Sequence, residues 1–185
     1  MTTPTPADEL WSLIAGSSLP SEQMVIDWRK AFDKADLDVD GAMILMQRML
    51  SAAPNPPKMA FRTVLRLLDE FAAGHPTFPE WVRDTWWPAM ADAMAVSPSS
   101  WTTAMAHGAA LVCNRLDSIF SQPGSYWAKL FVSCGVPKVA SLMRTDQAIT
   151  RNRLIAWTAA GMPGMEDQGS VFRDLVAMAI ADPWS

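Results

Sequence analysis

Three acidic residues at alternate positions, followed by a glycine, are the first feature of this 185-residue chain that could do chemistry. They are Asp36, Asp38 and Asp40, placed before Gly41 in the segment DLDVDG. Carboxylate oxygens with this spacing can converge on a hard cation such as calcium, if the glycine lets the backbone turn sharply. The spacing therefore gives a weak calcium-binding module at residues 36–41 as one hypothesis.

The segment resembles the first half of an EF-hand calcium loop, where positions 1, 3 and 5 supply side-chain ligands and position 6 is glycine. Its second half departs from that pattern, because Gln47 stands at position 12, where a bidentate Glu is expected. The alternative is a turn between two helices, in which Asp40 is the N-cap of a helix over residues 41–53. We favour the turn, since the loop without that Glu loses its best ligand.

The usual signatures of catalysis are absent from the sequence. The two histidines, His75 and His107, have no metal-ligand spacing with each other or with the two cysteines, Cys113 and Cys134. No phosphate-binding glycine loop and no hydrolase nucleophile motif occurs. We therefore expect a protein without enzymatic activity, cofactor or metal, in which both cysteines are buried free thiols.

Large apolar side chains are unusually frequent, with nine Trp and thirteen Met, while charged residues make up only 18% of the chain. Trp is a frequent anchor in protein interfaces, and Met adapts its shape to varied partners. We therefore predict a protein-binding surface in which a Trp-rich segment meets a Met-rich helix, although packing in the core is the competing interpretation. The residues of this surface are Trp81, Trp86, Trp87, Met43 and Met46.

Such a surface favours a non-catalytic protein that binds another protein or itself. Inhibitors, immunity or adaptor proteins and assembly subunits of larger complexes are the classes that fit. No apolar run approaches the ~18 residues needed to span a bilayer, so we expect no membrane partner. The N-terminus has no basic stretch followed by an apolar run, and we expect a cytoplasmic protein.

A basic region at residues 129–153 suggests a second function. Cationic side chains near exposed aromatic rings can hold a phosphate backbone. An accessory nucleic-acid-binding subunit of a ribonucleoprotein or DNA-binding complex is therefore the alternative, with other subunits supplying further charge, because the chain as a whole has a net charge of −4. The residues concerned are Lys129, Lys138, Arg144, Arg151 and Arg153, which face the single acid Asp146.

Helices must position all these residues, and the longest helical pattern runs from Pro98 to Ser121. Apolar side chains recur there at steps of three and four, which places them on one face of a helix. These are Trp101, Met105, Gly108, Val112, Leu116 and Ile119. We predict that this central helix organises an all-α, irregular single-domain bundle of about eight to ten short helices over residues 7–185, after a flexible arm at residues 1–6.

The remaining helices are predicted from apolar periodicity and from caps, and no segment reads as a strand. We expect them at about residues 7–15, 21–35, 41–53, 57–73, 80–87, 89–96, 126–133, 137–144, 146–160 and 166–181. Pro88 is expected to kink or restart the helix in which it lies, because proline has no amide donor. The last helix is predicted to bury five apolar residues, namely Val171, Phe172, Leu175, Val176 and Ala179.

Overall fold

The structure is a computed structural model, which describes residues 2–16, 21–139 and 148–181, without the side chains of 148–150. Within these ranges every regular element is helical, which confirms the predicted all-α bundle. The helices pack around one hydrophobic core. They are α1 (Pro6–Ala15), α2 (Glu22–Ala35), α3 (Val39–Ser51), α4 (Ala60–Phe71), α5 (Thr77–Trp81), α6 (Trp87–Ala95), α7 (Thr103–Phe120), α8 (Tyr126–Cys134), α9 (Ala148–Ala159) and α10 (Ser170–Ala181).

Side-chain caps fix where the first helices begin. Thr5 caps α1, where its hydroxyl accepts a hydrogen bond from the amide of Asp8 and the Asp8 carboxylate accepts one from the amide of Thr5. Ser21 caps α2 by accepting from the amide of Met24 at 3.1 Å. Each cap satisfies an amide that has no partner inside the helix.

A π-helical turn at Val82–Trp86 joins α5 to α6 without a break. In this turn the amide of Trp87 donates to the carbonyl of Val82, five residues earlier. Pro88 follows at once, and in a regular helix its ring would crowd the carbonyl of Asp84. The wider turn accommodates the proline, so the helix continues where the sequence analysis expected a kink or a restart.

The central helix, α7, begins at Thr103, five residues later than predicted. Pro98–Ser100 form a separate 3₁₀ turn, and Thr102 caps α7 by accepting from the amide of Met105. The ring of Trp101 is nevertheless buried, as the predicted apolar stripe requires. α7 packs against α4, α8 and α9, which supports its predicted place at the centre of the bundle.

α4 and α7 approach each other closely where Gly108 faces Phe61. A Cβ atom built on Gly108 would lie 2.8 Å from the Cβ of Phe61, so only glycine fits without a shift. The Phe61 ring stacks on Trp101 at 5.8 Å between centroids and meets the edges of two further Trp rings. These rings form the centre of the core.

In the C-terminal third, one predicted helix lies partly outside the described residues and another begins later than predicted. Residues 136–139 are helical, whereas the rest of the helix predicted at 137–144 and the start of the one predicted at 146–160 lie outside the described residues. α10 begins at Ser170, four residues later than predicted, because residues 166–169 form turns.

Candidate interaction surface

Trp86 and Trp87 are completely buried. The indole N–H of Trp86 donates to the carbonyl of Met46 on α3 at 2.8 Å, and that of Trp87 donates to the carbonyl of Tyr126 on α8 at 2.9 Å. Successive residues of a helix project about 100° apart, so each ring has its own neighbouring helix. This burial corrects the predicted surface, because neither ring is accessible to a partner and both belong to the core.

The remaining three residues of the predicted surface differ in exposure. Met46 is fully buried, and its carbonyl accepts the Trp86 hydrogen bond, so it too is a core residue. Met43 and Trp81 are half-buried and pack against the core, Trp81 with its ring 6.2 Å from that of Phe78. The five residues therefore do not form a continuous accessible surface in this fold.

Two lysines of the predicted nucleic-acid-binding set have partners within the chain. Lys129 forms an ion pair with Asp92 of α6, with 2.8 Å between Nζ and Oδ1. Lys138 donates a hydrogen bond to the carbonyl oxygen of Trp101. Asp92 lies far from Lys129 in the sequence, and therefore the local charge count over residues 129–153 did not include it.

The arginines of the same set give a similar result. Arg153 lies 3.6 Å from the carboxylate of Asp117 on α7, measured from Nε to Oδ2. Arg151 is half-buried, and its buried Nε has no hydrogen-bond partner among the described residues. Arg144 and Asp146 lie outside the described residues. The basic charge of this region is thus partly compensated by acids of α6 and α7.

The acidic segment at residues 36–41 connects α2 and α3. Asp38 is the N-cap of α3, and its Oδ1 accepts a hydrogen bond from the amide of Gly41 at 2.7 Å. The predicted cap, Asp40, instead lies in the first turn, because α3 begins at Val39. Asp36 ends α2 in the left-handed region, with φ of 46°. Among the described residues, no three His, Cys, Asp or Glu side chains form a group that could hold a metal ion.

An apolar stripe on α10 is the most exposed hydrophobic feature of any helix in the described ranges. Val171, Leu175 and Met178 are 71%, 50% and 67% exposed. Their spacing of four and three residues places them on one face of the helix. Val176 and Ile180 are buried on the other side, where α10 packs on α9. We call the three exposed residues the α10 stripe.

The α10 stripe corrects the sequence analysis, which predicted that Val171 and Leu175 are buried. Apolar residues of this helix occupy two faces, and the pattern alone does not say which of them meets the core. The signal was nevertheless in the sequence, because a helix that carries apolar side chains on two faces needs a neighbour on each. Within the described residues only one neighbour, α9, is packed extensively against α10.

Both cysteines are free and buried, as predicted. Burial raises the pKa of the Cys113 thiol well above its ordinary value. Burial also raises the pKa of Cys134, to about 12. Because the thiolate is the reactive form, both side chains behave as small apolar core residues.

Known proteins provide no template for these surfaces. Comparison of the chain with protein-family models, curated protein sequences and solved structures gives no match. In the part of the chain that the structure describes, none of the helices has the length and apolar character required to cross a bilayer. A functional hypothesis must therefore come from the geometry of the chain itself.

Proposed function

We propose that this chain is a helical protein-binding protein, and that the α10 stripe docks against an amphipathic helix of another protein. The exposure of Val171, Leu175 and Met178 is the observation that carries the proposal. Apolar anchors at positions i, i+4 and i+7 are typical of helix pairs that bury one face against a partner. Inhibitors, adaptors and assembly subunits use surfaces of this kind.

The attachment of α10 to the core supports the proposal. Val176 and Ile180 are buried against the rest of the bundle, while Phe172 and Ala179 are half-buried and pack against the core. The stripe therefore lies on a helix that is already formed and held in place. A surface ordered before binding loses less conformational entropy when the partner docks.

The charge next to the stripe favours a different protein over a second copy. Asp174 is exposed and lies beside Leu175, near the middle of the stripe. If two α10 helices paired through their stripes, the two Asp174 carboxylates would lie close together, and like charges across a contact are unfavourable. Arg173 projects from the opposite side of the helix, about 200° from Leu175, and cannot compensate. We therefore infer that the partner helix carries Lys or Arg opposite Asp174.

The test is a quantitative pull-down from the source cells with the double variant L175E/M178E. We expect it to lose the proteins that the unmodified chain captures, because two charges would be buried in the contact. The matched control is V96E, which places the same charge on an apolar side chain that is 83% exposed just after α6. D174K should weaken the same complex, because it places a positive charge opposite the Lys or Arg that we infer on the partner helix.

Two outcomes would contradict the proposal. One is capture of the same proteins by L175E/M178E and by the unmodified chain. The other is a concentration-dependent dimer, measured by light scattering, that L175E/M178E abolishes and V96E retains, because the occupant would then be a second copy. Thermal unfolding of each variant ensures that a loss of binding is not a loss of fold.

A further inference from the structure

A cleft of about 690 Å³ lies between α4 and α7 and extends to α2. This volume is within the range of small-molecule sites. Its apolar lining includes Val25, Met59, Leu65 and Leu111. A cleft of this composition can hold the hydrocarbon part of a ligand.

The polar side chains of the cleft are mostly cationic or potentially cationic. Lys58, Arg62 and His107 line it, and no Asp or Glu is among the described residues of its lining. Within the described residues none of these three side chains has a hydrogen-bond or ion-pair partner. The cleft therefore combines an apolar surface with uncompensated positive charge.

Two arginines next to the cleft differ from its cations, because each has an ion-pair partner on an adjacent helix. Arg66, one turn after Arg62 on α4, forms an ion pair with Asp33 of α2. Arg115, two turns after His107 on α7, forms an ion pair with Asp69 of α4. Cations just beyond the cleft are thus neutralised by acids of adjacent helices.

The directions of α4 and α7 add to the positive potential at one end. Phe61 meets Gly108, and further along Asp69 pairs with Arg115, so the two helices run parallel. Both helices therefore begin at the end of the cleft where Lys58 lies. No described side chain caps the first turn of α4, where the amide of Ala60 donates to the carbonyl of Pro57, so the helix contributes its dipole to the positive potential.

We propose that this cleft binds a small amphipathic anion, in which an apolar chain carries a single carboxylate or phosphate head group. The head group lies at the α4 end, where Lys58 and Arg62 supply charge-assisted hydrogen bonds. The apolar chain lies along Val25, Leu65 and Leu111. A carboxylate and a phosphate can both accept these hydrogen bonds, and the experiment below distinguishes between them.

Calorimetric titration of the full chain with decanoate and with decyl phosphate, each below its micelle concentration, tests the proposal. We expect at least one of the two anions to bind with one-to-one stoichiometry, and decyltrimethylammonium to show no saturable binding. K58E/R62E should weaken anion binding by about tenfold or more, because the charge-assisted hydrogen bonds are lost and two negative charges face the head group. K30E is the matched control, because Lys30 is exposed on the side of α2 away from Val25. This variant should bind the anion as tightly as the unmodified chain does.

A second variant tests the apolar part of the site. Ala104 is exposed in the first turn of α7 and lines the cleft, so A104W should fill the cleft without removing a cation and should abolish binding of both anions. The proposal is overturned if neither anion binds, if decyltrimethylammonium binds equally well, or if K58E/R62E binds as K30E does. L175E/M178E should retain the anion, which separates this site from the α10 stripe.

Discussion

The indole N–H of Trp87 donates a hydrogen bond of 2.9 Å to the carbonyl oxygen of Tyr126, and so links α6 to α8 across 39 residues of sequence. The Sγ of Cys113 on α7 lies 3.7 Å from the same oxygen. Three helices therefore meet at one buried carbonyl. Its donors come from residues that are fully enclosed, so no water can replace a lost hydrogen bond without entering the core.

Replacing Trp87 by Phe should lower the free energy of unfolding by about 1–3 kcal/mol, because the hydrogen bond to the Tyr126 carbonyl is lost and a small cavity forms. Replacing it by Ala should cost about 3–5 kcal/mol. Urea unfolding followed by circular dichroism measures both values.

The matched control for Trp87 is Trp81, six residues earlier and half-buried. W81F should change the free energy of unfolding by less than about 1 kcal/mol, because its ring packs only partly against the core. If W87F and W81F proved equally stable, Trp87 would not be the core residue that the structure describes.

The fold was largely predictable, because local signals decide where helices form. α2 ends at Ala35 as predicted, and the spacing of Met105, Val112 and Leu116 identified the buried face of α7. The π-helical turn before Pro88 was not predictable in this way. The turn packs against α3, a contact that the local sequence does not contain.

The surfaces were harder to predict, because exposure depends on which helices become neighbours. Trp86 and Leu175 both lie on helices with apolar residues on more than one side, yet the first is buried and the second is half exposed. The partner of Lys129, Asp92, is likewise distant in sequence. Tertiary contacts decide these cases, and periodicity alone does not encode them.

Gly108→Ala is expected to destabilise the protein, although Ala is the better helix former by about 1 kcal/mol. The new methyl group would lie 2.8 Å from the Cβ of Phe61, an atom that side-chain rotation cannot move away. We expect a loss of about 1–3 kcal/mol in the free energy of unfolding, as for other overpacked cores. G169A is the control, since nothing lies within 4 Å of its new methyl group, and an equal loss in both variants would contradict the predicted clash.

Asp38→Ala should remove the N-cap of α3 and lower the free energy of unfolding by about 1 kcal/mol. D40N should cost less, because Asp40 lies in the first turn and is not the cap. Thermal unfolding with and without millimolar calcium distinguishes a cap from a ligand. We expect the same midpoint in both conditions, whereas a calcium-dependent increase that D38A abolishes would identify a metal site.

Acid should weaken the contact between α1 and α3 that Asp8 makes. Hydrogen bonds from the amide and hydroxyl of Thr5, together with the ion pair to Arg48, lower the pKa of Asp8 to about 2. The pKa of Asp in an unfolded chain is about 3.9. The contribution of the ionised Asp8 carboxylate to stability is therefore complete above about pH 5 and is lost as the pH falls toward 2.

The variant D8N lacks this titration, and its deficit in stability relative to the unmodified chain should therefore shrink as the pH falls from about 5 to 2. Urea unfolding at a series of pH values measures the deficit. E9Q is the control, because the Glu9 side chain makes no hydrogen bond or ion pair within the described residues. A deficit of D8N that stays constant over this range would mean that the Asp8 carboxylate does not depend on Thr5 and Arg48 in solution.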